Sequence, residues 1–230
     1  MSKKIFWFIG GGIVLMLGIV LVVLFKQGKI GNPDAVLFHT IKDNPQFVTL
    51  YQKAQAEQKK LVASPDKPGL YLDLGLDWKG LGDATQDKAW LQKSLTAYED
   101  GIERFGKQNI LFYLNAGKVA ESIGDYAKAE RYYRAAMTIS TADESGYLSL
   151  ADLYIFKLHK TKDELLSLYA DAEKKVGNRL TVIWARGTYL KRIGDYAAAL
   201  QDFQVLVKSA PRPEGYKVVV VELEAKLSGK

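Results

Sequence analysis

The sequence has no cysteine and only two histidines among its 230 residues. The missing thiols exclude thiolate catalysis and sulfur-ligated metal sites. His39 and His159 lie far apart in the chain, and neither has catalytic or metal-binding partners at a defined spacing. We therefore predict a protein that is not an enzyme and has no cofactor or metal, with both histidines solvated in connecting segments.

Phosphate-binding loops and nucleic-acid patches are also missing. The glycine-rich stretch Gly80–Asp83 lacks the spacing of a P-loop or a dinucleotide turn, and we expect it in a turn between helices. The net charge of +6 comes largely from four lysines near the N-terminus, at positions 3, 4, 26 and 29. The rest of the chain has no basic cluster interleaved with aromatic residues, so no nucleic-acid partner is predicted.

One long apolar run is present, at residues 5–25, and it contains no charged residue. As a helix it would be about 31 Å long, which matches a hydrocarbon core of about 30 Å. A cleaved signal would have a shorter apolar region and a small-residue cleavage site, which this run lacks. We predict a tail at residues 1–4 followed by a single transmembrane helix.

The charges that flank the predicted span give only a weak indication of its orientation in the membrane. Lysines flank both ends of the run, so the positive-inside rule is nearly balanced. A very short tail ahead of an apolar run is typical of an uncleaved signal anchor, which exports the remainder of the chain. We expect the rest of the protein to be extracytoplasmic, and a cytoplasmic location stays open.

Beyond the apolar run, the sequence repeats itself. Residues 117–133 and 187–203 are near-copies at an offset of 70 positions, with Gly124-Asp125-Tyr126 recurring as Gly194-Asp195-Tyr196. This offset indicates two units of about 35 residues, and a third unit around Tyr147–Tyr154 lies between the copies. A further unit, around Tyr71–Trp78, precedes them. Repetition at this period predicts stacked supersecondary units.

Each unit has the pattern of two short helices. Apolar and small residues keep helical spacing on both sides of Gly124-Asp125, where glycine can end one helix and aspartate can cap the next. The third unit carries two capping-box spellings, Thr141-x-x-Glu144 and Thr161-x-x-Glu164, which we expect at its helix starts.

These motifs resemble the tetratricopeptide repeat (TPR) family, whose pattern is W-x2-L-G-x2-Y, A-x3-F and a closing proline. The matches are Leu74-Gly75-x2-Trp78, Ala129-x3-Tyr133, and Ala199-x3-Phe203 with Pro211. The resemblance implies an all-α, right-handed α-solenoid of about four helical hairpins at residues 70–211. The sequence departs from the pattern in three units. The first has about seven extra residues around Ala84–Trp90 between its helices, and its second helix is expected to be elongated. The third has Leu165 in place of a small residue and about two extra residues near Leu158–Lys160, and the fourth has Arg186 in place of a leucine.

The segments flanking the repeats are predicted to support them. Residues 26–69 form a connector with a helix at about 45–62 that leans on the first repeat, because its apolar residues keep helical spacing. Residues 212–230 form a capping helix that covers the last repeat and presents polar groups outward. The run Val218–Val221 could instead form a strand, because valine is enriched in β-structure.

By resemblance, the first helix of each pair lines a concave surface that binds a protein or peptide. In the first repeat the corresponding residues are Leu72, Leu76 and Lys79. The predicted binding residues of the other repeats are Leu114, Lys118, Glu121, Leu148, Asp152, Phe156, Trp184, Thr188 and Lys191. They do not reproduce the lysine, asparagine and arginine set with which some TPR modules grip a chaperone's terminal carboxylate. Trp184 has a second interpretation, as a packing residue against the C-terminal helix.

The sequence therefore predicts a membrane-anchored, single-pass TPR adaptor or scaffold for a partner protein or peptide, as in envelope, pilus or secretion assembly. The alternative is a structural or self-oligomerising element. Its groove would be filled by its own connector helix or by a second copy in a homo-oligomer.

Overall fold

The structure, a computed structural model, describes residues 33–229. In this range the chain forms eleven α-helices and no strand. The helices are α1 (Pro33–Ile41), α2 (Pro45–Ala63), α3 (Pro68–Thr85), α4 (Lys88–Phe105), α5 (Ile110–Ile123), α6 (Tyr126–Ile139), α7 (Ser145–Leu153), α8 (Lys162–Lys175), α9 (Arg179–Arg192), α10 (Tyr196–Ser209) and α11 (Glu214–Leu227). Helices α3 to α10 form four consecutive hairpins. The predicted transmembrane segment 5–25 lies outside the described residues, and none of the described helices is long and apolar enough to cross a membrane.

The two near-identical repeats build the same hairpin turn. Gly124 and Gly194 have positive φ values of 95° and 81°, a conformation that glycine adopts without steric cost. The aspartate after each glycine caps the next helix, since Asp125 accepts the backbone N–H of Lys128 and Asp195 accepts that of Ala198. The hairpin turns predicted from the Gly-Asp pairs are therefore present.

Small residues allow the helices of a hairpin to approach each other closely. A Cβ atom on Gly117 of α5 would overlap the ring of Tyr133 of α6, which is fully buried. A Cβ atom on Gly75 of α3 would overlap the ring of Tyr98 of α4 in the same way. The glycine on the first helix thus makes room for the aromatic residue on the second, as the repeat pattern predicts.

The first hairpin has the elongated second helix that the sequence predicts, but its first helix is elongated as well and its turn is short. Its turn comprises only Gln86, with a left-handed φ of 58°, and Asp87, which caps α4 by accepting the backbone N–H of Ala89. The extra residues are taken up by two long helices of 18 residues each. Gly80–Asp83 consequently lies inside α3, and its placement in a turn was wrong. Gly82 instead packs tightly against Leu91.

The third hairpin takes up its extra residues in a π turn at Tyr154–Leu158, directly after α7. His159 then adopts the left-handed conformation, with φ of 49°. The predicted capping box of Thr161 and Glu164 is formed at the start of α8. The other predicted box was wrong, because Thr141 precedes the helix by several residues and Asp143 accepts the backbone N–H of Ser145 instead.

Helix α2 packs against α3 at the N-terminal end of the stack. Tyr51 of α2 contacts the rings of Trp78 and Trp90, with centroid distances of 5.9 and 5.8 Å. The two indoles stack on each other at 5.5 Å and 12°. The connector helix therefore covers the end of the first hairpin and does not lie along α5, α7 and α9.

Helix α11 packs against the last hairpin through Leu223, which is fully buried, and through Tyr216, whose ring lies 6.3 Å from that of Phe203. The strand suggested by the valine run is not formed. The outward face is less polar than expected, because Val218 and Val221 are 70% and 66% exposed.

Candidate functional site

The predicted binding residues lie on the first helices of the second, third and fourth hairpins. We call this surface the inner face. It consists of Leu114, Lys118 and Glu121 on α5, Leu148 and Asp152 on α7, Phe156 in the π turn, and Trp184, Thr188 and Lys191 on α9.

Two aromatic side chains of the inner face are open to solvent. Phe156 is 56% exposed and Trp184 is 46% exposed. By contrast, Tyr216 and Val219 of α11 are partly buried and pack against the core. Leu114 is half-buried and packs against the core from the inner face.

The π turn explains why Phe156 reaches the surface. A π turn adds one residue to a helical turn and shifts the following side chains around the axis. Ile155 packs against the core, and Phe156, the next residue, is exposed. The step of three residues used in the first two hairpins would have selected Ile155 here, whereas the predicted residue, Phe156, lies four residues after Asp152.

The inner face also carries charged side chains. Glu121 accepts a hydrogen bond from the hydroxyl of Tyr133. Burial raises the pKa of Tyr133, and the hydrogen bond to Glu121 raises it further, so the phenol stays protonated and holds the carboxylate in place. Lys118 and Asp152 are exposed and form no ion pair with any other residue in the range 33–229.

Asp152 lies at the centre of this charged group. Partial desolvation raises the pKa of the Asp152 carboxyl above its ordinary value. Lys118 and Arg192 act in the opposite direction, and Glu121 adds to the rise. The carboxyls and cations of three successive first helices are therefore close enough to influence one another.

Sequence reasoning missed Arg192. Its guanidinium lies 4.6 Å from the ring centroid of Phe156 and 5.8 Å from that of Tyr189. The residue chosen from the sequence, Lys191, pairs with Glu222 of α11 at 2.6 Å. A step of four residues from Thr188 leads to Arg192, whereas a step of three, as in the first two hairpins, leads to Lys191.

The first hairpin contributes less to the predicted surface. Leu72 packs against the core, and Lys79 pairs with Asp83 one turn further along α3. Leu76 is exposed. The charge of Lys79 is thus already neutralised by Asp83, whereas Lys118 of α5 and Asp152 of α7 have no such ion pair within the part of the chain that the structure describes.

A separate cleft of about 770 Å³ lies on the other side of the hairpins, between α6 and α8. Arg134, Tyr154 and Leu168 are among its lining residues. The Tyr154 hydroxyl donates to Glu130 at 2.7 Å, and burial together with this hydrogen bond raises its pKa to about 12. Within residues 33–229, no cluster of three or more histidine, aspartate or glutamate side chains could hold a metal ion.

Comparison with known proteins identifies the fold through structure alone. No protein-family model matches the chain, and no curated protein sequence matches it. A tetratricopeptide repeat protein from Parabacteroides merdae is 16% identical with a TM-score of 0.50, over 84% of this chain and 73% of that protein.

Two further solved structures are similar. TTC0263, a thermophilic TPR protein of Thermus thermophilus, is 14% identical with a TM-score of 0.52, over 80% of this chain and 96% of that one. BtubC from P. vanneervenii is 12% identical with a TM-score of 0.54, over 80% and 83%. Together with the four hairpins, these similarities show that the protein has a TPR-like fold.

Proposed function

We propose that the protein is a TPR adaptor or scaffold that holds a segment of a partner protein on its inner face. One observation carries the proposal: Phe156, directly after α7, and Trp184, on α9, are exposed on the surface that binds peptides in TPR stacks. Solvent-exposed aromatic side chains are typical anchors of protein interfaces, because each can bury a large apolar area at a small entropic cost.

The stack suits such binding because its helices are already ordered. The side chains of α5, α7 and α9 are held by hairpins whose cores are closed, so little additional conformational entropy is lost when a partner binds. The surface has both apolar and charged groups, which can provide affinity and specificity, respectively.

Affinity capture with the full-length protein, solubilised in mild detergent, tests the inner face. We expect Trp184→Ala and Lys118→Glu to lose the partners captured by the wild type. Matched controls are Val205→Ala, an exposed residue of α10, and Lys174→Glu, which lines the cleft between α6 and α8. Equal capture by all five proteins would remove the inner face as the binding site.

We further propose that residues 5–25 anchor the protein in a membrane. The support is the uncharged apolar run bounded by lysines. Tethering would concentrate the inner face near membrane-bound partners, as in assembly of an envelope, pilus or secretion machine. The expected result is that alkaline carbonate leaves the full chain in the membrane pellet, and that introducing two arginines into the run releases it.

The side of the membrane can be tested because the chain has no cysteine. A single cysteine at the exposed position Thr49 would be the only thiol. For the extracytoplasmic location that we propose, a membrane-impermeant maleimide labels Thr49→Cys in spheroplasts without lysis. Labelling only after lysis would place the repeats in the cytoplasm.

A self-associating structural element is the second candidate function. The exposed Val218 and Val221 favour it, because an apolar face at the end of a repeat stack is a place where further protein can dock. Light scattering of the full chain would then show a concentration-dependent oligomer, which Val218→Lys combined with Val221→Lys dissociates. A monomer at all concentrations would reject this function.

A further inference from the structure

Three charged side chains on or beside the inner face lie on three successive hairpins. They are Lys118 on α5, Asp152 on α7 and Arg192 on α9. Within the described residues the side chains of these three form no hydrogen bond or ion pair, although Asp152 senses the charge of the other two. By contrast, Lys79 and Lys191, also on first helices, are paired with Asp83 and Glu222.

Arg192 is prepared to bind a carboxylate. Its guanidinium lies over the rings of Phe156 and Tyr189, which restricts the long side chain. Stacking uses the faces of the guanidinium, and the N–H donors lie in its plane. An arginine held in this way can donate to a carboxylate with less loss of side-chain entropy than a mobile lysine.

Asp152 is prepared to bind a cation. Its side chain is exposed one helical turn before Phe156, it has the negative Glu121 as a neighbour, and the two nearby cations do not contact it. A basic side chain placed against Asp152 would therefore meet an unpaired carboxylate and offset the repulsion from Glu121. The hydroxyl of Tyr133 keeps Glu121 on the same side of the site.

We propose that the inner face binds a peptide segment of mixed charge from another protein, in which a basic side chain pairs with Asp152 and an acidic side chain with Arg192. This inference rests on the proposed function and adds the chemistry of the partner. An apolar side chain of the same segment contacts Trp184, which lies roughly 12 Å from Arg192 along α9. A segment whose two charges have the same sign is disfavoured when it spans Asp152 and Arg192, because one of its charges then meets a like charge.

Fluorescence anisotropy with four labelled twelve-residue peptides tests the proposal on the full-length protein. All four peptides contain the same two leucines and differ only at two positions that are four residues apart. In two of the peptides these positions carry one Lys and one Glu, in either order. In the other two they carry two Lys or two Glu. Both mixed peptides are expected to bind the wild type about tenfold more tightly than the like-charged ones. Asp152→Lys should then prefer the peptide with two Glu, and Arg192→Glu the one with two Lys.

Matched variants with the same change of net charge separate local pairing from the overall field. Asp163 and Lys174 line the cleft between α6 and α8. We expect the variants Asp163→Lys and Lys174→Glu to rank the four peptides in the same order of affinity as the wild type. Unchanged rankings in Asp152→Lys and Arg192→Glu, or no binding of any peptide to the wild type, would overturn the inference.

Two other results would also overturn it and are distinguishable from each other. If Trp184→Ala weakens the binding of all four peptides equally and the wild type shows no charge preference, the inner face binds peptides but not through the proposed charge pairing. If the wild type forms a homo-oligomer that the peptides cannot displace, the occupant of the inner face is a second copy.

Discussion

Arg186 occupies a position of the repeat pattern that normally holds a buried leucine, and its charge is satisfied by two neighbouring helices. The guanidinium donates to both carboxylate oxygens of Asp202 on α10, at 2.6 and 2.9 Å, and to Glu173 on α8 at 2.8 Å. Because α8 belongs to the third hairpin and α9 to the fourth, one side chain fixes the contact between two repeats.

Removing Arg186 is expected to destabilise the stack more than the consensus pattern suggests. Arg186→Leu leaves the Asp202 side chain, which is only 8% exposed, without a cation, and we expect a loss of about 3 kcal/mol in the free energy of unfolding. Denaturant titration followed by circular dichroism would measure it.

The double variant Arg186→Leu with Asp202→Leu should recover most of this loss, because no buried charge remains unpaired. Arg179→Ala provides a control, since Arg179 also pairs with Glu173 but its side chain is 63% exposed. It should cost less than about 1 kcal/mol. If the double variant is as unstable as Arg186→Leu alone, the loss of stability comes from altered packing and not from an unpaired charge.

Asp152 is expected to reduce stability in the absence of a partner. Its raised pKa means that the native state binds the proton more tightly than the unfolded chain does. Stability should therefore rise as pH falls through the native pKa. Asp152→Asn should unfold at a higher temperature than the wild type at pH 7, and the difference should vanish in acid, below the ordinary pKa of aspartate.

Thermal unfolding across this pH range is the measurement, with the exposed Asp66→Asn as the control. A lower unfolding temperature for Asp152→Asn at pH 7 would contradict the prediction and indicate a stabilising contact of the carboxylate.

At the scale of the helices, the close approach within each hairpin depends on single glycines. Gly117→Ala would push its new methyl group into the buried ring of Tyr133, and we expect a loss of about 1–3 kcal/mol. Gly80→Ala is the matched control, because Gly80 lies in α3 with no atom near the added methyl group. It should gain about 0.5–1 kcal/mol, and equal losses for both would reject the steric explanation.

The hairpins could be predicted from the sequence because their signals are local. A glycine followed by a capping aspartate ends one helix and starts the next within two residues, so Gly124 and Asp125 encode the turn by themselves. The same logic succeeded for Thr161 and Glu164, whose mutual hydrogen bonds form the capping box.

Features that depend on tertiary packing could not be predicted in this way. Thr141 and Glu144 have the right spacing, but the chain continues for several residues before α7 begins at Ser145. The extra residues of the third hairpin became a π turn that exposes Phe156, and the sequence does not distinguish this from a longer loop. Arg192 was missed because the choice between it and Lys191 depends on α11, whose Glu222 takes the lysine.

On the scale of the whole molecule, the core is divided into two clusters that meet within α5. One cluster includes Trp78, Trp90 and Val119, and the other begins at Ala120 and extends to Leu223. In a repeat protein, each unit contacts mainly its neighbours, so the two ends can lose structure separately.

This division predicts separable opening of the two halves. Trp90→Ala removes a fully buried indole, at a cost of about 3–5 kcal/mol. Hydrogen exchange measured by mass spectrometry should then show lost protection in α2 to α4, with α8 to α10 nearly unchanged. Phe203→Ala should give the reverse pattern. Uniform loss in both variants would indicate a single cooperative unit.

The nearly parallel arrangement of Trp78 and Trp90 has a practical consequence. Two indoles this close couple their electronic transitions, so the pair should give the protein a near-ultraviolet dichroic signature that neither ring would show alone. Because Tyr51 of α2 lies against both rings, undocking of that helix should alter the signal. Docking of α2 on the first hairpin can therefore be followed without a label.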